Sequence, residues 1–298
     1  APFCYGQAAT CTTTCSSIHY LPIPYLKRAT AALAIGIPVG QMVAKVGAVD
    51  SRASSRNVGF TYRNQCLKVL ASKTMERLLL IGNSRWHWLQ GGSSWHTSPG
   101  EGLRQFQQQP AQHWAAVGLV PKPLEAWRGC QISAADVPLK QQQAGLGVDR
   151  ALVGWGAWQR SSTAVLVVDA GTAVSFTLVD RNGNFCGGRI MAGAALQLSS
   201  LHQATAGLPA VTKLEITEAW PHTTKEAMQA GVLNGMAAAL VCAAKDLPKG
   251  LEGAAIWLTG GDGEQLLPLL AAAGLKPQWA PNLALEAFAE IKAEFPSR

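Results

Sequence analysis

The first 74 residues contain a single acid, Asp50, and no tryptophan. Negative charge is thus nearly missing from a quarter of the chain, and only 14% of all residues are charged. That quarter holds eight Lys and Arg, whereas the rest of the chain holds seventeen basic and seventeen acidic residues. The net charge of +7 therefore belongs to the N-terminal segment. The balanced remainder lacks the basic face that a nucleic-acid surface needs, so no nucleic-acid partner is expected. Cysteine is scarce as well. Beyond Cys66 only Cys130, Cys186 and Cys242 remain, widely spaced, with no Cys-x-x-Cys pair and no His/Cys cluster. This excludes a zinc framework of the usual spacing and suits a reducing compartment, the cytoplasm. An uninterrupted apolar run is also wanting. Residues 29–49 are apolar but broken by Pro38, Gln41 and Lys45, a poor membrane span, so no membrane partner is expected.

The N-terminal segment is basic, nearly acid-free and rich in hydroxyls, as in ATCTTTCSS at 9–17. Two readings stand. It is an organelle transit segment, or it lies upstream of a true start at Met75; the second is favoured. Either way residues 1–74 are expected to be an extension outside the folded core. Residues 75–160 and 161–298 then form two domains.

What is present after Met75 alternates strand and helix. RLLLIGNSRWHWLQGG (77–92) reads as strand, tight Gly-Asn turn and strand. HWAAVGLVP (113–121) reads as a short strand stopped by proline, and AWRGCQISAADVPLK as irregular or strand-like. From Asp149, the spacing of Ala151, Leu152, Trp155 and Trp158 is helical, which puts Gly147-Val148-Asp149-Arg150 at a helix N-terminus. LVVDAGTAVSFTLVD is a second hairpin, GAALQLSSLHQATAGLP (193–209) a helix, and Thr223 with Glu226 a capping box opening a long central helix. Gly231 and Gly235 in that helix read as a close-packing pair. AAIWLTGGDGEQLLPLL gives strand, glycine turn and helix, and PQWAPNLALEAF reads as a closing strand. Trp86, Trp88, Trp155 and Trp158 are expected in the core or a subunit interface, and His87, His96 and His113 show no ligand spacing.

The two hairpins form an approximate internal repeat. Gly82 and Gly171 lie 89 residues apart, each after an apolar strand and before a hydroxyl residue and a second strand. A strand–glycine turn–strand is by itself only a hairpin. Two of them, facing across a cleft, can hold a triphosphate between backbone N–H nests without a helix N-terminus.

The motifs IGNSRWHW, GVDRA, VVDAGTAVSFTLVD…GGRIMAG, TTKEAM…GVLNG, LTGGDG and NLALEAF occur in that order across residues 78–288. In this the chain resembles the type III pantothenate kinases of the actin-like acetate/sugar kinase superfamily. The resemblance implies an α/β fold of two actin-like (ribonuclease H-like) domains, with mixed sheets flanked by helices and a nucleotide cleft between them. It implies ATP-dependent phosphorylation of pantothenate to 4'-phosphopantothenate, the first step of coenzyme A biosynthesis. Matched motif by motif, Asp149 would be the general base, and Gly147, Val148, Asp149, Arg150 and Thr224 would contact pantothenate. Gly82, Asn83, Ser84, Thr172, Gly260 and Gly261 would contact ATP, and Asp169 would hold a monovalent cation (K+ or NH4+) beside the Mg2+ of the nucleotide. A homodimer is implied too, because the family's substrate pocket lies near a subunit interface.

Plainer readings exist for three of these: Asp149 as a helix N-cap, Asp169 as a turn former, and Thr224 as part of the helix capping it shares with Thr223. Two departures from the family pattern bear on function. Leu80 stands where the first hairpin usually carries an Asp that helps hold hydrated magnesium. Gln143 is the nearest substitute for a Tyr that often precedes the GxDR motif. Leu80 motivates an alternative, a non-catalytic nucleotide-binding regulatory protein on the same fold; another small-molecule kinase of the superfamily is the third reading. GVDR and TTKEAM, the substrate half, favour the pantothenate kinase.

A chain that starts at Met75 is expected to fold and to keep full activity. Loss of soluble, cooperative unfolding on removal of residues 1–74 would show instead that the segment belongs to the core.

Overall fold

The computed structural model describes residues 76–118 and 120–294; the extension read at 1–74 lies outside the described residues. Leu78 to Ile81 are all apolar, and the whole of β1 (Arg77–Ile81) is buried. A turn at 82–85 returns the chain as β2 (Trp86–Gln90), and β3 (Ser93–Thr97) follows. Helix α1 (Pro99–Gln108) then leads to β4 (His113–Ala116), which pairs in parallel with β1. Ser98 caps α1 by accepting the Glu101 N–H, with proline in the first turn, where no donor is lost. Residues Lys122–Cys130 form a 3-10 helix that overlaps the start of the segment expected as irregular or strand-like; its remainder is irregular apart from a 3-10 turn at Ala134–Asp136.

Helix α2 (Val148–Ser161) precedes the second sheet: β5 (Val165–Ala170), β6 (Ala173–Val179), β7 (Phe185–Ala192), β8 (Ala255–Thr259) and β9 (Gln278–Trp279). Between β7 and β8 lie α3 (Ala194–Ala204) and α4 (Thr224–Lys245); α5 (Gly263–Ala272) follows β8, and α6 (Leu283–Glu294) follows β9. The first sheet runs β3-β2-β1-β4 and the second β7-β6-β5-β8-β9. In each, two antiparallel neighbours stand on one side of the first strand and a parallel strand on the other. The approximate sequence repeat is therefore a repeat of topology, built as mixed sheets flanked by helices.

Strand alternation decides which core each residue enters. In β5, Val165 and Val167 enter the core between the two sheets, while Leu166 and Val168 enter the core under α4 and α5. In β1, Leu78 and Leu80 join the same inter-sheet core, while Leu79 and Ile81 pack against Trp86, Trp88, Phe106 and Trp114. Helices α2 and α6 fill the space between the sheets, with Trp155, Phe288 and Ile291 buried there. Trp88 is fully buried, and its indole N–H donates to Thr97 Oγ1 at 3.2 Å. Its ring stacks on Trp95 and carries the Arg77 guanidinium 4.4 Å from its centroid.

Helix α4 has the length and hydropathy of a membrane span. Yet Met228, Val232, Leu233, Met236 and Leu240 bury one side of it in the core, which is the behaviour of a central helix in a packed domain. Thr223 caps it by accepting the Glu226 N–H, and Glu226 answers through the Thr223 hydroxyl. Gly231 and Gly235 correct the close-packing reading. Both are exposed, and a Cβ on either would meet no other atom within 4 Å. The C-terminal region differs as well: only Gln278 and Trp279 are strand, and NLALEAF belongs to α6, whose Leu283, Leu285 and Phe288 close the inter-sheet core.

Phe288 has no exposed surface, and it belongs to the helix that sequence reading took for a strand. Phe288→Ala should cost about 3–5 kcal/mol of stability, the usual cost of emptying a fully buried aromatic site. Chemical denaturation checks this, and a loss below about 1 kcal/mol would place α6 outside the core.

Candidate active site

The two hairpin turns and the glycine turn after β8 meet at one place. In the first turn the Gly82 N–H donates to Arg85 O at 2.9 Å, leaving Asn83 and Ser84 exposed at its tip. In the second, Thr172 Oγ1 donates to Ser84 Oγ at 2.8 Å, joining residues 88 apart in sequence. After β8 the chain turns at Gly260, whose φ of +91° favours glycine and whose Cβ would lie 2.5 Å from Asp169 Oδ1 and from Ala170 O. The Asp262 N–H then donates to Ala170 O at 2.8 Å, while Asp262 Oδ2 accepts the Ala194 N–H at the start of α3. Arg85 Nη1 reaches within 3.6 Å of the position a Cβ would take on Gly261. Gly82, Asn83, Ser84, Thr172, Gly260 and Gly261 are thus parts of three adjoining turns.

Asp169 follows Val165 and Val167 on the same side of β5, so its carboxylate faces the α2 side of the sheet. Burial pushes its pKa up to about 7, and the charge of Asp149 adds to the shift. No cationic side chain among the described residues offsets it. Asp149 comes from the first turn of α2. The residue at the N-cap is Gly147, so the plain reading of Asp149 as the cap is not what the structure shows. Burial raises the Asp149 pKa as well, opposed by the N–H groups of Arg150 and of its own residue and by the Arg150 charge. Its Oδ1 is buried with no hydrogen-bond partner.

Beyond Asp149, a cavity of about 480 Å³ opens between the loop before α2 and the start of β7. Gln143, Leu146, Arg150, Cys186 and Gly187 are among its walls. Val148 is buried in the inter-sheet core rather than facing the cavity. Thr224 is the exposed first residue of α4 and is not part of this cavity in its own chain. Cys130, Cys186 and Cys242 are free thiols.

The chemistry of the donors limits what can bind. Leu80 sits on the inter-sheet face of β1, 6% exposed, at the position equivalent to Asp169 in β5. Among the described residues no cluster of three His, Cys, Asp or Glu could cage a metal ion. A divalent ion therefore finds no ready set of protein ligands and fits only as part of an incoming metal–nucleotide complex. Asp169 does fit a cation: it is a partly buried carboxylate with no cationic side chain among the described residues to offset it, and Gly260 lets backbone approach it. Sequence reasoning missed Arg85 and Asp262. Both lay inside quoted motifs, but their meeting needs the two halves of the chain to be folded together.

A family model described as type III pantothenate kinase matches residues 127–245. A type III pantothenate kinase of Synechococcus sp. (strain JA-3-3Ab) is 34% identical over 237 residues, covering 73% of this chain and 93% of that protein. The chain belongs to the type III pantothenate kinase family. A second relative of the same description, from Gloeobacter violaceus, is 36% identical and covers 68% of this chain and 88% of that protein. Among solved structures, a Campylobacter jejuni protein described as a Baf-family transcriptional activator aligns with TM-score 0.54 at 21% identity. It covers 73% of this chain and 98% of that one, a likeness of fold.

The unfolded Asp169 carboxyl titrates near 3.8, so between about pH 4 and pH 7 the folded chain keeps a proton the unfolded chain has lost. The stability this provides is present at low pH and is lost as pH rises through about 7. Asp169→Asn should therefore melt close to the parent below about pH 4, and above it by a gap that opens as pH rises and is full at pH 8. Added potassium should narrow the gap at pH 8 by stabilising the parent. Equal melting of the two proteins at pH 8 without potassium would contradict the buried charge.

Proposed function

We propose that this chain is an ATP-dependent pantothenate kinase that transfers the γ-phosphoryl group to the terminal hydroxyl of pantothenate, giving 4'-phosphopantothenate in the first step of coenzyme A biosynthesis. Family membership supports the activity. The observation that carries the site assignment is Asp149, whose Oδ1 is buried and unpartnered, one residue before Arg150 in the cavity wall. An alcohol O–H donating to that oxygen would complete its hydrogen bonding.

A primary alcohol attacks poorly until its proton is taken, and a carboxylate whose pKa is raised toward neutrality is a better base for that work. In this reading Asp149 accepts the hydroxyl proton as the oxygen bonds to the γ-phosphorus and the bond to the ADP oxygen breaks; ADP leaves carrying the electron pair. The transfer otherwise needs positioning and charge neutralisation. The turn at Gly82, Asn83 and Ser84, with Thr172, would grip the phosphates, and Gly260 and Gly261 would lie under the adenosine. Magnesium enters with ATP. Asp169 would hold a monovalent cation, potassium or ammonium, which supplies the counter-charge its carboxylate lacks. Gly147, Val148 and Arg150 would position pantothenate, Val148 from within the core by fixing the start of α2.

A homodimer agrees with the surface. Ile190, Leu196 and Leu201 are exposed on β7 and α3, and Gly231 and Gly235 leave a shallow face on α4. Thr224, outside its own chain's cavity, suits a contact made across such an interface. We place the enzyme in the cytoplasm, where free thiols persist. Leu80 is the observation that favours the second reading, a nucleotide-binding regulator without turnover.

ADP release measured with and without pantothenate separates the two, since only the kinase requires the acceptor. Asp149→Asn should lower turnover by ~10²–10⁴, the usual worth of a positioned base. ATP affinity should stay near the parent value, and melting should not fall, because Gly147 rather than Asp149 occupies the cap. Retained turnover per folded molecule would remove Asp149 from the mechanism.

A further inference from the structure

Arg150 leaves α2 one residue after Asp149, and its guanidinium crosses to the wall of the cavity formed by β7. Two features hold it there. Its Cζ lies 5.6 Å from the centroid of the Phe185 ring, close enough for the cation to feel the electron-rich face. Its Nη2 lies within clashing distance of the place a Cβ would take on Gly188, and the Phe176 carbonyl oxygen lies closer still. Glycine at 188, paired with Thr177 in the sheet, is required by the neighbouring strand and also leaves room for the guanidinium against it. Among the described residues Arg150 makes no ion pair, and its Nε is buried without a hydrogen-bond partner. The opposite wall, Gln143 to Leu146, carries no charge. A cation set beside an aromatic ring, with Asp149 as its neighbouring charge but no carboxylate within ion-pair distance among the described residues, faces a cavity large enough for a small acceptor.

We propose that Phe185 and Gly188 are positioning residues that seat Arg150 as the anion-recognising wall of this cavity, so that the site selects an acceptor carrying a carboxylate over the same acceptor with that group made neutral. The proposal rests on the pantothenate kinase reading. Arginine suits the task because its planar fork meets a carboxylate with two parallel N–H donors, a geometry lost when the side chain is free to swing. The ring at 185 restricts that swing. A side chain at 188 would push the fork off the strand.

The test is steady-state kinetics with two acceptors: pantothenate, and the analogue in which its carboxylate is reduced to a primary alcohol. The parent should prefer pantothenate through KM. In Phe185→Leu the KM for pantothenate should rise about fivefold, the range of one partly buried cation–π contact. Its kcat should change far less, and the KM for the neutral analogue should hold. Selectivity therefore narrows. Phe185→Tyr keeps a ring and should restore the parent preference. Gly188→Ala should narrow selectivity in the same direction where melting shows it folded; the Phe185 pair decides the matter if it is not. Equal rises in KM for both acceptors, or an unchanged preference in Phe185→Leu, would overturn the seat while leaving the kinase reading intact. A parent protein that phosphorylates neither acceptor would overturn the kinase reading and the seat with it.

Discussion

The ionised form of Asp169 is the costly element of this structure, because β5 carries it to the edge of the inter-sheet core with no cationic side chain against it. Two carboxylates, Asp149 from α2 and Asp169 from β5, feel each other across that edge, and each raises the difficulty of ionising the pair. The apolar core beside them makes ionising both costly. In the proposed reading a cation at Asp169 and an alcohol at Asp149 would offset that cost, so the site would be completed by its ligands.

Much of the fold was legible because its main strands are short apolar runs closed by turns. Val165, Val167 and Asp169 fall on one face of β5 by counting in twos, and the glycine turns after β1, β5 and β8 mark where each strand stops. The 22-residue α4 announced itself by Thr223 and Glu226. Other parts were less readable. Helix α1 carries a plain start signal, Ser98-Pro99 with Glu101, yet its glutamine-rich body gives only Leu103 and Phe106 as apolar anchors. NLALEAF was read as strand because an apolar run of that length does not distinguish a short buried strand from a helix packed on both sides. Tertiary burial between two sheets decided it. Gly231 and Gly235 failed as packing glycines for the opposite reason: spacing shows which residues share a helix face, but not whether anything lies against that face.

The candidate site was legible to the extent that its groups sit inside single motifs. Asp149, Asp169, Gly260 and the two hairpin turns each stand beside a recognisable glycine or helix start. The contacts between motifs were not readable. The Ser84–Thr172 hydrogen bond, the approach of Arg85 to the Gly261 turn and the tie from Asp262 to α3 all join segments tens of residues apart. So does the placement of Arg150, which depends on the register that pairs Gly188 with Thr177. Thr224 shows the converse, a residue inside a clear motif that its own chain does not bring to the cavity.

The repeat explains the asymmetry of charge between the two hairpins. Leu80 and Asp169 hold the same place, two residues before the turn glycine and on the face toward the shared core. Two carboxylates there, with Asp149 nearby, would put three like charges against one apolar core. Replacing one of them with leucine removes that repulsion and fills the core, since Leu80 packs with α2 and α6. In the proposed reading the first hairpin would meet phosphate with its turn and with Arg85, and of the two equivalent positions the second hairpin alone carries a carboxylate. The divalent ion has correspondingly little to hold it on the first hairpin beyond the nucleotide it came with. Arg85, set on the same turn and reaching toward Gly261, is the cationic side chain of that turn. In the proposed reading its guanidinium would take part of the charge neutralisation that a protein-held metal would otherwise supply.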